Sequence, residues 1–348
     1  MSPTERARAG HEEVRMRGSH VPATGTITVV DWPDPEAREP GQLVVRMLHA
    51  SICGSDLHAV FHGLLHAEGP LRPGYPGHEG VGTVVSSRSE RFPVGTLVLT
   101  VPKGEMGGCF AELQLLDELH VVELPAGTDP ADSVQLRRLM MAQQYGTCLY
   151  AMRQFWPVET PARRAGTCAI MGAGSAGLFF VQEARRLGFE HVVVSDLEPR
   201  RLDVARALGA VPVRVPGEDL AEVVAQVSGG RGADLVIEAV GLDVLRDQAV
   251  DLAADRGIVG FFGLPERHGH TEVPLWTAFR KNLRLQASVA AQSEPGLTSF
   301  REALRRISEG EIDVEHCLGP EYPLERIAEA MRTAEEQGHG HVKLTITP

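Results

Sequence analysis

The chain has 348 residues, 43% of them hydrophobic, and a formal net charge of -12 from 46 acidic against 34 basic side chains. That length exceeds one comfortable hydrophobic core and calls for two domains. The acidic balance repels phosphate backbones and anionic lipid, and no uncharged apolar run approaches a membrane span, so neither nucleic acid nor membrane is expected as a partner.

The amino-terminal stretch MSPTERARAGHEEVRMRG is charged and has no apolar centre, unlike a secretion signal. The five cysteines, Cys53, Cys109, Cys148, Cys168 and Cys317, form no paired framework; a reducing cytoplasm, with cysteine serving as metal ligand or nucleophile, is the expectation. Between residues 26 and 120, runs such as TITVV, QLVVRMLHA, GVGTVVSS and GTLVLTVP are broken by Gly and Pro clusters, the rhythm of an irregular, mostly antiparallel β domain. Within it, SICGSDLHAV gathers Cys53, Ser55, Asp56 and His58, and GHEG adds His78 and Glu79.

From residue 167 the pattern changes. TCAIMGAG reads as a buried strand, SAGLFFVQEARRLG as a helix closed by glycine, and HVVVSDLE as a second strand. Alternation continues through RRLDVARALGA, DLAEVVAQVSG, ADLVIEAVG, VLRDQAVDLAA and GIVGFFG, as in a doubly wound parallel sheet whose last strand is GIVGFFGLPE. Helices near LTSFREALRRISEG and LERIAEAMRTAEEQ and a closing strand HVKLTIT return to the first domain. The predicted fold class is α/β, with an irregular β-barrel from residues 1–155 and 291–348 and a Rossmann nucleotide-binding sheet from 156–290.

Gly172, Gly174 and Gly177, with Ser175 and Ala176 between them, form GxGxxG between a predicted strand and a predicted helix. The glycines permit the tight turn and close backbone approach of a pyrophosphate, and the helix N-terminus offers partial positive charge. Asp196, at the end of the second strand, stands where a carboxylate binds both ribose hydroxyls and repels a 2'-phosphate, which favours NAD over NADP. Arg200 and Arg201 follow; Arg201 is taken as a cofactor contact, although arginines on a solvated helix face are commoner.

Cys53, His78 and Glu79 supply a thiolate, an imidazole and a carboxylate, and catalytic zinc takes three protein ligands while leaving a position open. The order CGSDLH, GHEGVG, GAGSAG and DLEPRRLDVARALGA resembles the zinc-dependent medium-chain alcohol and polyol dehydrogenases over nearly the whole chain. The resemblance implies a GroES-like first domain, catalytic zinc on Cys53 and His78 with Glu79 as a further ligand, and Asp56 as the acceptor orienting the zinc-bound histidine. The family's remaining ligand falls in LMMAQQYGTCLYAM, where alignment puts Gln143, with Gln144 beside it and Cys148 a register shift away. An amide is a poor zinc ligand. The family's four-cysteine lobe is missing, Cys109 alone standing in that segment, so one catalytic zinc and no structural zinc is expected.

In the expected mechanism zinc polarises the alcohol or carbonyl while hydride passes to or from nicotinamide. Ser55 takes the proton and, through the cofactor ribose, passes it to His58, whose ordinary pKa near 6.5 suits exchange with solvent. His62 and His66 could rim the cleft, and HGH at His268 and His270 and GHGH at His339 and His341 read as loops. Met140 and Met141 read as core, and Cys168 and Cys317 as inert. The leading reading is a zinc- and NAD-dependent dehydrogenase of a secondary alcohol, with polyols, amino-polyols or cyclitols as substrates. Its rivals are a metal-free enone or quinone reductase of the same fold and a catalytically silent NAD-binding protein. Family resemblance also implies a homodimer or homotetramer.

Overall fold

The computed structural model describes residues 15–63, 72–103, 107–157 and 166–348. Strand β1 (Arg15–Ala23) pairs antiparallel with β2 (Thr26–Pro33), and Gly25 takes a left-handed φ of 83° in the turn between them. Its position in the charged amino-terminal stretch hid β1 from the sequence reading. Arg15 and Arg17 point outward while Met16, Gly18, Ser19 and Val21 are buried, the period-2 alternation of a half-buried strand.

Next come β3 (Gln42–Ser51), α1 (Gly54–Phe61), β4 (Glu79–Ser87), β5 (Leu97–Thr100), β6 (Leu113–Asp117) and β7 (Val121–Glu123). Strand β3 pairs with β4 along one edge and with β6 along the other, and Leu43, Val45, Met47, Val84, Val98, Phe110 and Leu116 fill the space they enclose. Helix α2 (Ser133–Met140) starts at Asp132, whose carboxylate accepts the Gln135 N–H. Helix α3 (Ala142–Phe155) is buried along most of its length, and Gly146 lets it seat against Phe300: a Cβ there would lie 2.5 Å from the ring.

The second layer system runs β8 (Thr167–Met171), α4 (Ser175–Arg186), β9 (His191–Asp196), α5 (Pro199–Ala207), β10 (Val211–Arg214), α6 (Leu220–Ser228), β11 (Ala233–Glu238), α7 (Asp243–Leu252), β12 (Ala253–Phe261), α8 (Leu275–Arg280) and β13 (Arg284–Ala287). All pairings are parallel, in the order β10-β9-β8-β11-β12-β13. The order reverses at β8, and ligands of such sheets bind beyond the carboxyl ends of the strands at that point. GIVGFFG is therefore not the last strand: β13 lies outside it. Four residues reading RLQA, mostly exposed, carry no apolar run to announce an edge strand.

The chain then returns through α9 (Thr298–Ser308), β14 (Glu321–Pro323), α10 (Ile327–Glu335) and β15 (Thr345–Thr347). Strand β15 joins β3 antiparallel and β14 joins β15, which extends the first sheet to β14-β15-β3-β4-β5-β7 with β6 on β3. The fold is thus α/β, an irregular β-barrel beside a doubly wound parallel sheet. No helix among the described residues is long and apolar enough to cross a membrane.

Candidate metal and cofactor site

After Ser51 the chain turns through Cys53 into α1, with Cys53 extended at the helix N-cap. The Asp56 carboxylate reaches back to accept the Cys53 N–H at 2.9 Å, fixing the turn as a capping-box acid does. Its other oxygen lies 3.0 Å from His78 Nδ1, so Nε2 is left to face Ser55 Oγ at 3.4 Å. Strand register opposes Ser51 to Glu79, which brings the carboxylate alongside. Ligand atoms of Cys53, His78 and Glu79 all lie within 4.8 Å of one another.

Glu79 is buried, and its two oxygens differ. Oε2 accepts from the Ser51 hydroxyl and from Lys343 Nζ, the latter at 2.5 Å, whereas Oε1 is buried with no hydrogen-bond partner. An orphaned carboxylate oxygen beside a thiol and an imidazole is a donor set that fits a zinc ion. Burial alone would raise the Glu79 carboxyl, but Lys343 and His78 hold it below its usual range. Burial likewise works against a charged His78, yet the Asp56 carboxylate and Cys53 hold its pKa well above the ordinary value. Burial pushes the Cys109 and Cys148 thiols well up and Cys317 up to about 12, the behaviour of inert buried thiols.

Lys343 escaped the sequence reading. It is 3% exposed, and its Nζ also donates to Gln144 Oε1 at 3.2 Å and the Ile52 carbonyl at 3.3 Å. Its signal was a lysine inside the apolar closing run HVKLTIT. The amide beside the metal group also needs correcting: Gln144 Oε1, not Gln143, is 3.7 Å from Cys53 Sγ. Gln143 is buried with its Nε2 unpartnered. One residue of helix turns a side chain by about 100°, more than alignment by residue type resolves.

At the parallel sheet's crevice, Gly172 is left-handed (φ 99°), and a Cβ on Gly177 would lie 1.8 Å from the Gly172 carbonyl oxygen. Only glycine lets α4 close on the turn. Nothing lies within 4 Å of where a Cβ on Gly174 would point, an open cradle that fits a dinucleotide pyrophosphate at the start of α4. Asp196 ends β9, its Oδ2 accepting the Ala173 N–H at 2.6 Å and its Oδ1 the Glu198 N–H at 2.8 Å. Ser175 Oγ donates to Gln144 Oε1 at 3.3 Å, and the Ala176 carbonyl faces Cys148 Sγ at 3.8 Å.

Arg201 is held by a segment far along the chain. Its guanidinium donates to Gln337 Oε1 and to the Gln337 and His341 carbonyls, and Arg200 donates to the His339 carbonyl. Both arginines are engaged by the turn before β15, which sequence distance concealed. The rings of His58 on α1 and His62 at its C-cap lie with centroids 5.1 Å apart and planes tilted by 47°, and burial lowers the His58 pKa first, the neighbouring His62 second. His66 lies outside the described residues. Met140 and Met141 are fully buried core.

Residues 39–126 match the alcohol dehydrogenase GroES-like domain family, and residues 176–309 match the zinc-binding dehydrogenase family. The sorbitol dehydrogenase of Bacillus subtilis is 23% identical over 96% of this chain and 97% of its own. The L-threonine 3-dehydrogenase of Bacillus velezensis is 27% identical over 86% of this chain and 89% of its own. Among solved structures, galactitol-1-phosphate dehydrogenase from Escherichia coli superposes with a TM-score of 0.80 at 21% identity, covering 96% of this chain and 100% of that one.

Proposed function

We propose that this chain, which belongs to the zinc-dependent medium-chain dehydrogenase/reductase family, is an NAD-dependent dehydrogenase that interconverts a secondary alcohol and its ketone. The observation that carries the reading is the position of Gln144, whose Oε1 lies within 3.7 Å of Cys53 Sγ and 3.3 Å of Ser175 Oγ. The metal group and the dinucleotide turn are thus one amide apart, as hydride transfer beside a Lewis acid requires. Polyols, amino-polyols and cyclitols are the substrate class we favour, supported by the sorbitol and galactitol-1-phosphate relatives.

Cys53, His78 and Glu79 would hold the zinc, and the glycine turn with Asp196 would hold NAD. When bound, zinc supplies a Lewis acid and nicotinamide a hydride acceptor. The protein's own residues handle the proton and the geometry. Asp56 orients the His78 ring through Nδ1. Ser55 Oγ, beside His78 Nε2, is placed to take the proton of the substrate hydroxyl, and His58 is the base that receives it. Asp196, with Arg200 and Arg201 engaged elsewhere, leaves a 2'-phosphate facing a carboxylate, which underlies the preference for NAD.

A metal-free reductase of the same fold is the second reading, favoured by one feature: the Lys343 ammonium already neutralises Glu79. Elemental analysis of the purified protein, with an alcohol and ketone panel run in NAD and NADP, separates the two. We expect one zinc per chain and alcohol oxidation with NAD; enone reduction by metal-free protein would overturn the reading. We place the enzyme in the cytoplasm as a homodimer or homotetramer.

A further inference from the structure

His58 Nδ1 is buried without a hydrogen-bond partner. One turn later His62 caps α1, its N–H donating to the His58 carbonyl at 3.2 Å. That spacing sets the two imidazoles side by side, with centroids 5.1 Å apart and planes tilted by 47°, a separation that one water can bridge between ring nitrogens. Beyond it, His62 Nε2 lies 3.1 Å from Glu335 Oε1 at the end of α10. The His62 and Glu335 side chains are 46% and 37% exposed, so the three groups lead from the partly buried relay base to the surface.

We propose that His62, held by Glu335, carries protons between His58 and bulk water and so forms the outlet of the proton relay. The inference rests on the dehydrogenase reading above. The groups facing His58 are His62 on its own helix, Glu335 on α10 and Glu266 in the loop after β12. Burial first and the neighbouring His62 second lower the His58 pKa while the two carboxylates raise it, so a proton on His58 is readily released. In alcohol oxidation each hydride leaving the substrate carbon is matched by one proton from its hydroxyl. A proton received at one nitrogen of His58 is lost from the other. His62 takes it at Nδ1 and gives one up from Nε2, where Glu335 accepts it and passes it to water. No electrons move in this segment.

His62 is a positioning and shuttle residue, since it acts on the reaction through His58. A purely structural role, pinning α1 to α10, would also make the pair stabilising, so the test needs a readout that stability does not move. In weakly buffered solution we expect His62→Gln to lower kcat by about tenfold or more, with KM nearly unchanged, and added imidazole to restore the rate. Glu335→Gln should give a smaller loss with the same buffer dependence. Histidine NMR titration gives a readout independent of turnover: the His58 resonance should titrate at higher pH in His62→Gln, because a neighbour that lowers its pKa has gone. A His62→Gln rate equal to wild type at every buffer concentration, or an unshifted His58 titration, overturns the relay while leaving the dehydrogenase reading intact. A wild-type protein with no nicotinamide-linked turnover on any alcohol or ketone overturns that reading and the relay with it.

Discussion

At Gln144 one amide oxygen meets Cys53 Sγ, Lys343 Nζ and Ser175 Oγ, so its charge bears on metal and cofactor together. Gln144→Glu adds an anion beside Cys53, and a more neutralised zinc is held more tightly but is a weaker Lewis acid. We expect slower zinc loss to a chelator and a turnover that falls or at best persists, measured by dialysis, metal counting and rates. Gln143→Glu should instead bury an unpaired charge and cost about 3 kcal/mol or more of stability in denaturant melts. Unchanged zinc retention in Gln144→Glu would remove that residue from the metal's surroundings. Lys343→Met leaves the Glu79 carboxylate buried without its cation, at a similar cost of about 3 kcal/mol. Zinc should recover part of that, so the gap in Tm between zinc-free and zinc-loaded protein widens. Asp196→Ala, by deleting both the ribose contact and the repulsion of a 2'-phosphate, should erode the ratio of kcat/KM for NAD over NADP. Residue type alone singled out Cys53, His78 and Glu79, whose ligand atoms the fold brings within 4.8 Å of one another; it could not single out Lys343, whose partner Glu79 is 264 positions away.

Helix α9 sets two arginines on one carboxylate. Glu302 accepts from Arg305 and Arg306, and the Arg305 hydrogen bond first, then Arg306, holds its carboxyl down from the usual 4.5 to about 2. A depressed carboxyl stabilises the fold above its unfolded pKa, and the contribution is lost as pH falls through the folded value. Glu302→Gln should therefore melt below wild type at neutral pH, with the difference closing between pH 4.5 and about 2. A constant difference across that window in calorimetry would count against the ion pair as its source. At the start of α4 the constraint is steric: Gly177→Ala drives a Cβ into the Gly172 carbonyl and should lower both Tm and NAD affinity. Long periodic elements such as α4, α9 and β3 were readable from sequence. Strands β1, β10 and β13 were not, since β1 carries charges on its outer face and the other two are four residues long, too short for periodicity to accumulate.

For the molecule as a whole the exposed surface near β13 matters most. This edge strand follows α8 in the chain, where Trp276 and Phe279 stack with centroids 6.2 Å apart and are 73% and 74% exposed. An unpaired edge next to bare aromatic rings is a surface that a second copy would cover. Light scattering at micromolar concentration should give at least twice the chain mass, and Trp276→Glu with Phe279→Glu should reduce it to one; a monomeric wild type refutes the dimer. Family resemblance placed the dimer edge on GIVGFFG; β13 lies outside that strand, and the proposed contact between copies falls there instead. What the sequence by itself determined here was local: the glycine turn, the residue types of the thiolate–imidazole–carboxylate set and the alternation of strand and helix. These depend on residues a few positions apart, whose geometry the backbone fixes. Only the tertiary structure decided which glutamine meets Cys53, which cation neutralises Glu79, where Arg200 and Arg201 go and which strand closes the sheet. Each is a contact between segments far apart in the chain, set by how the two sheets and α3 pack, and neither residue type nor spacing carries that information.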